Sequence, residues 1–131
     1  MRDPVWIDIR DALALHNRLL GLDGGPAGVR DDGLLESALA RPQQLHAYGN
    51  RPDTVDLASA YTAGIIRNHP FLDGNKRTAF ILGALFLELN GWTLTASEED
   101  ATRAVLGLAA GTLDETAFTA WIRTNVKRHR S

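Results

Sequence analysis

The sequence predicts an all-α fold, a compact single-domain helical bundle over residues 1–131 organised around one central buried helix. Three observations carry that prediction. Apolar residues recur at spacings of three and four through most of the chain, the period of a helix with one buried face. The segments so marked are separated by glycine and proline clusters that stop helices. A length of 131 residues supplies one core but not two.

The elements follow in order. "IDIRDALALHNRLL" (7–20) places Ile9, Leu13, His16 and Leu20 on one face, and "GLDGGPAG" (21–28) ends that helix. "RDDGLLESALAR" (30–41) reads as a short helix with acids in its first turn, where the helix dipole favours them. "RPQQLHAYGNRPD" (41–53), with two prolines, reads as an exposed loop with room for a short flap. "TVDLASAYTAGIIRN" (54–68) is helical, with Leu57, Tyr61 and Ile65 four apart, and Pro70 requires it to stop at or before His69. The next helix opens near Gly74–Asn75 and runs to Asn90–Gly91; being apolar nearly all round, it is expected to be the central one. "WTLT" (92–95) fits one brief strand, and "SEEDATRAVLGLAAG" (97–111) and "DETAFTAWIRTNVKR" (114–128) read as two capped helices closing the bundle. Trp92, Phe118 and Trp121 fit the core or its rim, His16 a hydrogen-bonded core position, and His46 a surface loop.

Bulk properties exclude several function classes. A net charge of −2 argues against a broad nucleic-acid surface, and the basic end "KRHR" (127–130) reads as a solvated tail. The absence of cysteine removes disulfides, thiolate catalysis and cysteine-bound zinc. The longest apolar run, "AFILGALFL" (79–87), ends at Glu88 and is far short of the roughly 20 residues that cross a bilayer. A soluble, cytoplasmic protein is expected, with no direct contact to nucleic acid or membrane.

One stretch breaks the local rules. "HPFLDGNKRTAF" (69–80) sets Lys76 and Arg77 in the first turn of a helix, where unpaired N–H groups already carry partial positive charge. Asp73 suits that turn as an N-cap and as an anion, whereas each cation there costs about 0.3–1 kcal/mol without a counter-ion. Gly74 sacrifices helix stability at the same point. A bound anion, phosphate above all, reconciles the free N–H groups, the cations and the glycine. His69 then has the chemistry of a general base, and Asp73 that of a hard oxygen ligand for Mg²⁺ shared with substrate phosphates. These are the parts of a phosphoryl- or nucleotidyl-transfer site.

At these residues the chain resembles the Fic/Doc (Fido) family, whose signature has the form His-x-Phe-x-Asp/Glu-Gly-Asn-Gly/Lys-Arg. "GVRDDGLLESALARPQ" (28–43) is similar to the N-terminal segment of Doc-type toxins. The resemblance implies that His69 is the catalytic base and that Asp73 serves the metal and the hydroxyl. It implies that Gly74, Asn75, Lys76 and Arg77 form the phosphate-binding turn. The adenylylating branch has glycine where Lys76 stands and a second arginine where Phe80 stands. Both departures are shared with the Doc branch, which implies a kinase using ATP and Mg²⁺ to phosphorylate a translation factor, elongation factor Tu, and so arrest translation. AMP transfer and a silent binding module of a toxin–antitoxin complex are the alternative readings. Some Fic proteins carry an internal inhibitory segment, from which "TASEED" (95–100) departs at Asp100, so restraint by a separate antitoxin protein is expected.

Overall fold

The computed structural model describes residues 3–23 and 28–129. Its helices are α1 (Ile9–Asp23), α2 (Asp32–Tyr48), α3 (Thr54–Asn68), α4 (Asn75–Leu89), α5 (Glu98–Ala110) and α6 (Glu115–Thr124). Two three-residue strands, β1 (Trp92–Leu94) and β2 (Val126–Arg128), pair antiparallel with Trp92 opposite Arg128 and Leu94 opposite Val126. The all-α prediction stands, with this small sheet added. No helix among the described residues is long and apolar enough to cross a membrane.

The helix enclosed on all sides is α3 rather than α4. Every residue from Leu57 to Ile65 is buried, including Ser59 and Thr62. Their hydroxyls are satisfied: Thr62 donates to the Ala79 carbonyl at 2.8 Å, and Ser59 accepts from Thr119 at 2.7 Å. Gly83 of α4 lies opposite Thr62, and a Cβ there would meet the Thr62 hydroxyl at 2.4 Å. Helices α3 and α4 therefore approach closely, and this pair is the centre of the core. On α4 the residues Thr78, Ala79, Leu82, Phe86 and Leu87 are buried, while Phe80, Ile81, Ala84 and Leu85 are only half covered. Hydrophobicity all round α4 had suggested complete burial; part of that surface faces a cleft instead.

Three further elements differ from expectation. Helix α2 continues through Pro42 to Tyr48, although proline removes one helix bond and costs about 3 kcal/mol in a helix interior. Burial of Pro42 and packing of Leu45 against the core offset this. His46 consequently lies in the last turn of a helix, edge-on to Trp6 at 5.5 Å, and not in a surface loop. The last helix stops at Thr124, because Asn125 caps it and Val126–Arg128 pair with β1. The basic end is thus a strand as far as Arg128, whose guanidinium lies 5.5 Å over the Trp92 ring. The glycine-rich stop after α1 lies outside the described residues at 24–27, and α1 itself ends at Asp23.

Most helices start as their sequences dictate. Asp31, Asp53, Ser97 and Asp114 cap α2, α3, α5 and α6 with side-chain oxygens, and each is followed by an acid in the first turn. Asp53 and Asp56 complete a reciprocal capping box. Within "TASEED", Ser97 caps α5 and Thr95 donates to the Asn125 carbonyl.

Candidate active site

The loop from His69 to Gly74 joins the C-terminus of α3 to the N-terminus of α4, the two most closely packed helices. Its chemistry stands at two helix ends of opposite partial charge, held by the core beneath. His69 is the C-terminal cap of α3, with φ 50° and ψ 53°, and its N–H donates to the Ile65 carbonyl at 2.9 Å. A left-handed backbone costs a residue with a Cβ roughly 1–2 kcal/mol, so the surroundings must enforce it. The side chain is exposed.

Pro70 and Phe71 are buried and anchor the loop. The Pro70 carbonyl accepts from the N–H groups of Arg30 (2.6 Å) and Asp31 (3.1 Å), and Leu72 N–H donates to the Gly28 carbonyl at 3.1 Å. A β-bridge joins Val29 to Phe71. The Phe71 ring stacks on His16 at 3.8 Å and 9°. His16 is buried as expected, and its Nε2 lies 2.7 Å from the Asp73 carbonyl oxygen. A carbonyl only accepts, so Nε2 carries the proton and donates. Its partner is the motif loop, which the helical position of His16 did not reveal.

Asp73 is exposed and does not cap α4; Gly74 takes the N-cap position with φ 77° and no side-chain cap. Glycine suits that position, since a Cβ would be strained at that φ. The first bond inside α4 is Thr78 N–H to the Gly74 carbonyl at 3.0 Å, which leaves the N–H groups of residues 75–77 ahead of the helical ladder. Lys76 and Arg77 are exposed in this turn, and α4 has no acid in it. Against five helices with an acid in the first turn, α4 begins with a glycine and two cations. That is a charge pattern for an anion.

Asn75 is placed differently from the other residues of the expected phosphate-binding turn. Its side chain is 4% exposed; Oδ1 accepts from Phe71 N–H and Nδ2 donates to the Phe71 carbonyl, both at 2.9 Å. Its amide group ties the loop to the helix, and only its backbone N–H remains for the expected phosphate-binding turn.

No cluster of three or more metal-ligating side chains occurs among the described residues. Asp73, uncommitted to a cap, offers a single carboxylate, which fits Mg²⁺ shared with substrate phosphates rather than an all-protein cage. Beyond the turn, a cleft of about 530 Å³ runs between α4 and α5, lined by Lys76, Arg77, Phe80, Ile81, Leu94 and Val105 among others.

Sequence reasoning missed Arg30. Its guanidinium donates from Nε to the His69 carbonyl at 2.8 Å and from Nη2 to the Asn68 carbonyl at 3.0 Å. The available signal was the one that exposed Lys76 and Arg77: a cation just ahead of a helix start, here that of α2, needs a reason.

A family model described as the Fic/DOC family matches residues 6–87, which include the 69–77 motif and the Gly28–Asp31 segment that braces it. The chain is 44% identical over 82 residues to "Toxin Doc" of Mycolicibacterium smegmatis, an alignment covering 62% of this chain and 62% of that relative, less than two thirds of its length. It is 32% identical over 117 residues to "Protein kinase doc" of Escherichia phage P1, covering 89% of this chain and 92% of the relative.

Proposed function

Because this chain belongs to the Fic/DOC family, we propose that it is a Doc-like toxin, a kinase moving the γ-phosphate of ATP onto a threonine or serine hydroxyl. The observation that carries the reading is the start of α4, where Gly74, Lys76, Arg77 and three leading N–H groups follow directly on the loop that carries the exposed His69 and Asp73. The N–H groups and the two cations hold the phosphates and balance the charge that develops on them. His69 takes the proton of the substrate hydroxyl as its oxygen bonds to the γ-phosphorus and the bond to ADP breaks. Asp73 would hold a Mg²⁺ ion shared with the substrate phosphates, and that ion would supply charge neutralisation.

Transfer of phosphate is favoured over transfer of AMP by Lys76 in the turn and by Phe80. Phe80 presents a ring to the cleft at the position where the adenylylating branch has arginine. The resemblance names a translation factor, elongation factor Tu, as the protein substrate, and a separate antitoxin as the restraint. Such a protein acts in the cytoplasm. The test is incubation with cell extract and ATP labelled at the α- or the γ-phosphate. A protein labelled from γ alone supports the kinase, with elongation factor Tu expected as the labelled band. Label from α alone means AMP transfer, and label from neither means a binding module; either outcome refutes the proposal.

A further inference from the structure

His69 holds a backbone conformation that it would not choose alone, and one side chain outside the motif grips it from both sides. The peptide planes on either side of the His69 Cα are those carrying the Asn68 and His69 carbonyls. Their orientations set φ and ψ of His69, and with them the direction in which its Cα–Cβ bond leaves the chain. Arg30 bonds both carbonyls, Nη2 to Asn68 at 3.0 Å and Nε to His69 at 2.8 Å. Its own N–H donates to the next carbonyl, that of Pro70, at 2.6 Å. Three successive carbonyls of the loop therefore end on one residue. The charge fits as well, since the last carbonyls of α3 carry partial negative charge that a guanidinium complements.

We propose that Arg30 is a positioning residue that locks His69 in its left-handed conformation and so aims the imidazole at the substrate hydroxyl. The proposal rests on the reading of His69 as the base. The planar fork is what matters, because it reaches two carbonyls in a fixed relation; an ammonium is a single point charge and cannot fix both planes. Charge alone is insufficient, so Arg30→Lys is expected to fail where a purely electrostatic role would let it succeed.

The experiment compares wild type with Arg30→Lys, Arg30→Met and Asp31→Ala. The last removes the α2 cap made through Asp31 Oδ1 but leaves the Arg30 grip in place. Turnover is read with whichever labelled phosphate the wild type transfers, and the NMR shifts of His69 Cα and Cβ, which report φ and ψ, are read independently. Misplacing a base by about 1 Å costs on the order of 10²-fold, so both Arg30 variants are expected to lose kcat by that order. Their KM for ATP should change little, and the His69 shifts should leave the left-handed range. Asp31→Ala should lower Tm yet keep near-normal kcat and His69 shifts. Wild-type turnover in Arg30→Met, full rescue by lysine, or unmoved His69 shifts would overturn the inference, as would an equal loss of kcat in Asp31→Ala. If wild type transfers neither label, the kinase reading fails, and the His69 shifts alone decide whether Arg30 sets this geometry.

Discussion

Replacing Asn75 by alanine separates a loop clamp from a ligand contact. The Asn75 side chain is 4% exposed and satisfies both the N–H and the carbonyl of Phe71, a residue with no exposed surface, through two bonds of 2.9 Å. Truncation leaves those two groups without partners, and an orphaned buried polar group costs about 1–3 kcal/mol. Two of them set a range of roughly 2–6 kcal/mol; the exposed neighbours Leu72 and Asp73 give water a route to the site, which favours about 2–4 kcal/mol. That is a large fraction of the roughly 5–15 kcal/mol by which domains are stable. Urea denaturation of Asn75→Ala should show the loss as a lower midpoint with unchanged slope. Asn75→Asp should lose stability too, since its second oxygen would face the Phe71 carbonyl where Nδ2 now donates. If Asn75→Ala stays within about 0.5 kcal/mol of wild type while ATP affinity falls, the residue is a ligand contact and the clamp argument is wrong.

Other outcomes follow from the same geometry. His69→Ala or His69→Gln should remove transfer and growth arrest by about 10²–10⁴ in rate with the fold kept, because the side chain is exposed and its loss opens no cavity. His69→Asn, which tolerates the left-handed region, should be equally inactive; full activity of a soluble His69→Ala protein would rule out the base. Lys76→Ala should lose about 10²–10³ of γ-label transfer with a much smaller change in ATP affinity, and retained γ-transfer would refute its role at the phosphate. For Asp53, burial raises the carboxyl pKa, but the Arg123 guanidinium and the Asp56 N–H outweigh burial and hold it below its ordinary 3.8. A depressed folded value means the stabilisation is present above 3.8 and lost as pH falls through the folded value. Asp53→Ala should therefore cost about 1 kcal/mol in urea denaturation at neutral pH and progressively less under acid conditions, and an equal cost at both would contradict the pairing.

The types of most elements and the anomalous first turn of α4 were legible in the sequence because both rest on local chemistry. Period, caps and stops depend on neighbours a few residues apart, so the α1, α3, α4 and α5 segments could be read directly. The cations Lys76 and Arg77 stand out against a helix start for a reason internal to that turn. What packing decides was not legible. The sequence could not show that α3 rather than α4 is enclosed, since hydrophobicity all round a helix does not say which neighbours cover it. Nor could it show that tertiary burial carries α2 through Pro42, or that Val126–Arg128 leaves a helical pattern to pair with Trp92–Leu94. The support of the site is likewise tertiary. His16 reaches Asp73 across 57 positions and Arg30 reaches His69 across 39, so neither contact leaves a trace in local spacing. Asn75 shows the boundary within one residue: its place in the motif is sequence, whereas the turning of its amide inward to Phe71 exists only once the loop has folded over the core.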